Sequence, residues 1–456
     1  MLGALPDLPV SSVPGPSEQV IVAPALHELT ARWLGDAIAE GAQRLADAGL
    51  IWVIVPPRWR DQADARLRNH GLILRDTVVL TPPWPNTEHL VPLRAPVLRD
   101  ALTRHLHRRQ SAAWAAGAIV TTQSGRRLGR RLAPGCALVA GRVGSTPPHW
   151  LQSISPGAMP LVSRGRRNDA QVAILLAPPD AGRPGFAVKA ALNAAGLGRV
   201  RTEAQALAAH GPLARRAGAE IPVAVNVPGI PDWALVTNAL DGRPAASVLA
   251  TAPHRRPGIA RSISDWLLNW NRSTLTTTLA SAEMLMSALT GPARSLMRLG
   301  RTTAAYLAAM EELAHAIRDR PMPCVATHND LTMTNVIVRE DGIGIVDWET
   351  AAPVGVPLAD LFYTLTDAVA RATRCRPAQA LSQHGHDSGR SPNTMNALTG
   401  EHARALGLTD LHRRFAFHSC WLHHAGEELK RGVTNGPFSE VVTTIGSRRI
   451  LWLPNT

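Results

Sequence analysis

The chain has 456 residues, too many for one ordinary core and suited to two or three domains. Apolar residues make up 45% and charged residues 18%, and no apolar run approaches the roughly 20 residues of a bilayer span, which excludes a transmembrane segment and favours a soluble protein. The net charge of +13 attracts anions of every kind and singles out none.

From the N-terminus, MLGALPDLPVSSVPGPSEQ has no basic segment followed by a compact apolar stretch, so no secretory leader is expected and the cytoplasm is. Residues 26–48 have helical periodicity with Gly49 as their stop, and LIWVIV at 50–55 reads as a strand closed by Pro56 and Pro57. Residues 60–70 read as a second helix and 72–80 as a second strand. The alternation points to a small α/β domain, Rossmann-like, over 1–150. Its order resembles the C-terminal half of a Rossmann-like methyltransferase, but no glycine-rich strand-to-helix turn precedes it to hold a cofactor. Residues 100–135, with HLHRR and GRRLGRR, read as a solvated face, and the proline-bearing stretch at 145–160 as a domain boundary.

Beyond it, 171–178 and 185–192 read as neighbouring strands, followed by a helix at about 200–210 and a strand at 233–240 that leads into a turn and a helix. From 258 to 320 the pattern is helical, with a break near Gly291 and Pro292. NVIVRE and GIGIVDWE read as strands, and the tail from 356 as helical around a flexible insertion at 384–396.

The chemistry concentrates between Cys324 and Glu349, CVATHNDLTMTNVIVREDGIGIVDWE. His328 and Asp330 form a His-x-Asp, Asn335 follows five residues after Asp330, and Asp347 follows twelve residues later, across a hairpin turning at Glu340, Asp341 and Gly342. The order and spacing match a kinase catalytic loop. Phosphoryl transfer needs a carboxylate near the attacking hydroxyl, here Asp330, and oxygen ligands for Mg²⁺, here Asn335 and Asp347.

With Asp347-Trp348-Glu349 after the hairpin, the segment resembles the aminoglycoside phosphotransferase family, whose signature is a His-Gly-Asp loop and a later Asp-Trp/Phe-Glu. Asn329 stands where that family usually has glycine, which bears on the loop's backbone geometry. Over residues 158–456 the resemblance implies an α+β, bilobal, protein-kinase-like fold, with a small β-rich N-lobe at 158–240 and a helical C-lobe at 241–456. It implies ATP with Mg²⁺ between the lobes, His328 and Asp330 as the catalytic pair, and Asp360 in PLADLFYTL as a buttress of the loop, with a helix N-cap as the alternative role for Asp360. It also implies a phosphate-binding lysine on an N-lobe strand, held by a glutamate on the next helix. Lys189 and Glu203 stand in that order, and Lys189 is one of only two lysines among 48 basic residues. Gly165 in SRGRRNDAQ is the candidate for a phosphate-covering loop, and backbone groups from Thr237 to Ala239 are candidates for the adenine.

The expected function is transfer of the γ-phosphate of ATP to a hydroxyl of a small molecule. Strong basicity and the absence of an acidic tail favour a sugar or glycan intermediate. An aminoglycoside or other antibiotic is the alternative, and a non-catalytic pseudokinase binding module is another. The arginine and alanine excess reads as compositional bias, so no specific nucleic-acid partner is expected. His418, Cys420, His423, His424 and Glu427 have no zinc-type spacing. Trp266 and Trp270, four apart on a helix, suit core packing better than stacking on a sugar ring. The four cysteines are unpaired in spacing and read as reduced, buried thiols.

Overall fold

The computed structural model describes residues 17–22, 30–56, 59–81, 89–92, 136–142, 153–156, 159–163, 171–177, 183–191, 193–384 and 395–447. Gly165, the arginine-rich stretch at 100–135 and most of the polar stretch at 384–396 lie outside them. The chain divides into two compact units, one of residues 1–204 with 223–239 and the other of 205–222 with 240–456.

The first unit is built on one sheet of nine strands. They are β1 (Ser17–Val22), β2 (Leu45–Val55), β3 (Ile73–Thr81), β4 (His89–Pro92), β5 (Cys136–Gly141), β6 (Met159–Ser163), β7 (Gln171–Ala177), β8 (Phe186–Ala191) and, after the two-residue β9 (Ala219–Glu220) of the second unit, β10 (Ala234–Asn238). Their order is β1-β2-β5-β3-β4-β6-β7-β8-β10. β1 and β2 run parallel, and the other neighbours are antiparallel. Two helices, α1 (Ala31–Arg44) and α2 (Arg60–Asn69), supply one core layer. Leu34, Ile38 and Leu67 from these helices are buried with Ile51, Val53 and Val55 of β2. Leu50 and Ile54 belong to a second core, with Val78, Val139, Ile174, Leu176, Val188 and Val236. The side chains of LIWVIV thus alternate between two apolar layers, which is why the run is continuously apolar. The first helix is shorter than its periodicity suggests, because residues 45–49 extend β2 instead.

The long helix α3 (Ala194–Arg216) carries the chain from the first unit into the second. There follow β11 (Arg243–Pro244), α4 (Ala245–Thr251), α5 (Arg256–Thr274), β12 (Thr276–Leu279), α6 (Ala304–Ile317) and β13 (Pro321–Thr327). Next come β14 (Val336–Val338), β15 (Ile343–Ile345), β16 (Ala352–Gly355), α7 (Ala359–Thr373), α8 (Asp410–Lys430) and α9 (Pro437–Ser447), with further helices between. The strands form two small sheets, β11-β14-β15-β9 and β12-β13-β16. The helical reading of 258–320 fails at β12: the β-branched run Thr276-Thr277-Thr278 pairs antiparallel with β13. The break expected near Gly291 and Pro292 is a π-helical turn, Met286–Thr290, after which the helix Gly291–Arg298 begins.

Trp266 and Trp270 on α5 are buried in the second unit's core, stacked with centroids 5.2 Å apart. Trp270 meets Trp348 edge-on at 5.4 Å, and Trp348 meets His328 edge-on at 5.0 Å. This aromatic column seats the segment of highest chemical interest on the core. No described helix is long and apolar enough to cross a membrane.

Candidate active site

The loop between β13 and β14 carries His328, Asp330 and Asn335, and the β14–β15 hairpin returns the chain to Asp347. Its tight turn is closed by Arg339 N–H donating to Gly342 O at 3.0 Å, with Gly342 at φ 149°, a conformation open to glycine. Val346 N–H donates to Asn335 O at 3.0 Å, which ties the hairpin's exit to the loop's end.

Asn329 has φ 62°, in the left-handed region. Asparagine is among the few non-glycine residues that adopt it readily, so it serves where the family usually has glycine. Its side chain adds a hydrogen bond from Nδ2 to Thr350 O at 3.0 Å. Asp347 also has positive φ, 70°, in the same left-handed region, which aspartate enters more readily than most residues.

One face of α7 grips the loop residue by residue. Asp360 accepts from the backbone N–H of His328 at 2.7 Å and of Asn329 at 2.9 Å. Tyr363 donates its hydroxyl to Asp330 Oδ1 at 3.3 Å. Thr364 donates to Leu331 O at 2.5 Å, and Asp367 accepts from Met333 N–H at 2.8 Å. The spacing i, i+3, i+4, i+7 sets these four side chains on one helical stripe. Asp360 was legible as a buttress from the sequence. Tyr363, Thr364 and Asp367 were not, although polar residues at that spacing in an otherwise apolar helix are a readable signal.

Asn335 Nδ2 donates to Asp330 Oδ2 at 3.2 Å and to Asp330 O at 2.8 Å. Each oxygen of the Asp330 carboxylate therefore has one placed donor. Burial and then the negative charge of Asp347 push Asp330 up to about 7, against the two hydrogen bonds, which pull it down. Asp360 is pushed up to about 6 by burial, less the effect of its two backbone donors. Burial first, then Asp330, holds the Tyr363 phenol well above its ordinary range, so it stays a donor.

His328 is fully buried. Its Nε2 donates to Val346 O at 3.1 Å, and its Nδ1 accepts from Asp330 N–H at 3.4 Å, partners that assign the tautomer. The ring thus braces the loop from within. A carboxylate oxygen of Asp347 and one of Glu349 lie within 4.8 Å of each other. Asn335 turns its amide nitrogen to Asp330. Two neighbouring carboxylates suit a hard divalent cation that completes its shell with other oxygens. Glu349 is a neighbour of Asp347 that the sequence motif contained but did not assign.

In the first unit, Lys189 sits on β8 between Ala173 of β7 and Leu235 of β10. Its Nζ lies 2.5 Å from Glu203 Oε2 of α3, and the Glu203 side chain is 5% exposed, so the carboxylate has little solvent to pair with instead. Thr237 ends the same sheet, opposite Ala187. Ala239 N–H donates to Gly185 O at 3.0 Å, so a ligand at that position would meet another of its atoms. His418 and His424 have packing roles: His418 Nδ1 is 3.1 Å from the Tyr306 hydroxyl, and His424 stacks on Tyr363. Among the cysteines, Cys136, Cys324 and Cys420 are buried and Cys375 is partly exposed; all four are free.

Residues 187–398 match the family described as Phosphotransferase enzyme family. No curated protein matches the chain. Similar solved structures include a thermostable mutant of aminoglycoside phosphotransferase APH(4)-Ia with ADP and hygromycin B, 14% identical, covering 65% of this chain and 93% of that one, TM-score 0.40. They also include a choline/ethanolamine kinase family protein from Mesorhizobium loti, 16% identical, covering 63% and 86%, TM-score 0.38. A third is macrolide 2'-phosphotransferase MphH from Brachybacterium faecium, 17% identical, covering 63% and 90%, TM-score 0.34. Likeness at these scores carries no argument about substrate.

Proposed function

The segment 187–398 belongs to the phosphotransferase enzyme family, and on that premise we propose that the protein moves the γ-phosphate of ATP to a hydroxyl of a small molecule. The observation that carries this reading is the Asp330 carboxylate, held by Tyr363 and Asn335 on a loop that Asp360 pins. A carboxylate so fixed, with its proton affinity raised toward neutrality, suits a group that orients an acceptor hydroxyl and takes its proton as the oxygen attacks phosphorus. His328 braces the loop from beneath.

Asn335 and Asp347, joined by Glu349, would hold Mg²⁺, whose chemistry is to neutralise charge on the nucleotide phosphates. Lys189, steadied by Glu203, supplies a point charge for the α- and β-phosphates. Gly165 is retained as the phosphate-loop candidate, and the strand end from Thr237 to Ala239 as the adenine-binding segment. Basicity favours a neutral or anionic acceptor, a sugar or glycan intermediate, over a cationic antibiotic. We assign N- and C-lobes to 158–240 and 241–456, read 1–150 as an α/β region whose largely antiparallel strands do not fit a Rossmann sheet, and place the protein in the cytoplasm.

The test is a screen for Mg²⁺-dependent phosphorylation of sugars, amino alcohols and aminoglycosides by the full chain, with Asp330→Ala and Asp347→Ala as controls. A product that appears with wild type and is lost in both variants supports the reading. Failure of the full chain to bind Mg²⁺-ATP at all sinks it.

A further inference from the structure

Among the four α7 side chains that hold the catalytic loop, Asp360, Thr364 and Asp367 meet backbone groups, whereas Tyr363 meets the Asp330 side chain. A backbone contact fixes where a loop runs. A contact to a carboxylate oxygen fixes how that carboxylate is turned. Asn335 anchors Oδ2 at 3.2 Å and Tyr363 anchors Oδ1 at 3.3 Å, and two anchors on different oxygens define the carboxylate plane where one leaves a rotation open.

The phenol is itself immobilised. Its ring is 5% exposed and stacks on His424 of α8 with centroids 3.8 Å apart and planes 18° from parallel. Trp421 of the same helix meets it edge-on at 6.4 Å, and Phe438 of α9 lies tilted against it at 5.5 Å. Three side chains from two helices thus set where the hydroxyl stands, and a buried, packed ring holds one rotamer.

We infer that Tyr363 is a positioning residue for Asp330, turning the carboxylate toward the acceptor hydroxyl. The assignment rests on the phosphotransfer reading above. It concerns the orientation of a group that touches substrate, so it acts on turnover and leaves nucleotide binding alone.

The test is Tyr363→Phe in the full chain, which keeps the ring and its stack on His424 and removes only the hydroxyl. With Mg²⁺-ATP, turnover is expected to fall about ten- to a hundred-fold, the loss typical of one hydrogen bond to a charged group, while the KM for ATP stays within about twofold. If Asp330→Ala turns over like wild type, the role of Asp330 in the phosphotransfer reading fails, and the positioning role with it. If Asp330→Ala is inactive and Tyr363→Phe retains full turnover, the reading stands and the positioning role is overturned. Crystal structures of wild type and Tyr363→Phe decide the matter without turnover. The Asp330 carboxylate is expected in one orientation in the first and rotated or split in the second, and an unmoved carboxylate in the variant overturns the assignment whatever the rate.

Discussion

Asp330 has to be ionised to accept a proton, and its surroundings resist that. Burial, then the Asp347 charge, raise it to about 7, so the competent form is lost as pH falls through that value. Turnover should therefore decline below about pH 7, approaching about tenfold per unit, and level off above it. A cation that shields Asp347 moves the limb to lower pH. A rate independent of pH between about 5 and 8, measured with chemistry rate-limiting, would contradict an Asp330 base. Asp360 answers to a different demand, since it must accept two N–H donors at once. An Asp360→Asn amide has one acceptor oxygen, and its NH₂ faces a second donor. The expected cost is about 1–3 kcal/mol of unfolding free energy, with activity lost alongside as the loop shifts. Chemical denaturation at pH 7 measures it, and a midpoint equal to wild type would show that the buttress is not needed.

At the scale of elements, what could be read from the sequence was what local chemistry writes. The hairpin was visible because its turn residues, strand runs and flanking Asn335 and Asp347 lie within a short stretch. The gripping face of α7 acts across about thirty residues, and only Asp360 could be placed through a family resemblance. β12 was hidden because a threonine run shows its strand preference only when β13 lies beside it. The nine-stranded sheet shows the same limit. The strand runs at 50–55, 72–80, 171–178 and 185–192 were apparent, yet nothing local says that β5 inserts between β2 and β3 or that β4 pairs with β6. That pairing has a consequence for dissection of the chain. Leu50, Ile54, Val78, Ala137 and Val139 share one core with Ile174, Leu176, Val188, Ala190 and Val236. A fragment beginning at 158 loses the first five and bares the β6 edge, and an open, apolar edge invites aggregation. The fragment should partition into the insoluble fraction or melt well below the full chain. A soluble fragment with an unchanged melting temperature would mean that the shared core contributes little.

For the molecule as a whole, the near absence of lysine turns a family expectation into a measurement that needs no acceptor. The 456 residues hold 46 arginines and two lysines, and guanidinium groups do not acylate under conditions where amines do. An acyl phosphate of ATP delivers its electrophilic carbonyl to an amine beside the bound phosphates, forming an amide and releasing the nucleotide. Two lysine amines compete, Lys189 and Lys430. Lys430 is largely exposed and pairs with Glu427 across one helical turn, a solvated contact. Lys189 is shielded and held by a buried glutamate, which fixes its direction. At low probe concentration, acylation should map to Lys189 and be suppressed by excess ATP, while any label on Lys430 stays unaffected by ATP. Glu203→Gln should weaken the Lys189 label by freeing the amine from its fixed direction, even though it also removes the charge that keeps that amine protonated. The two effects oppose each other, so the decisive comparison is competition: ATP-sensitive labelling at Lys189 places the phosphates beside it. Labelling of Lys430 without Lys189 at saturating probe would remove Lys189 from the nucleotide site.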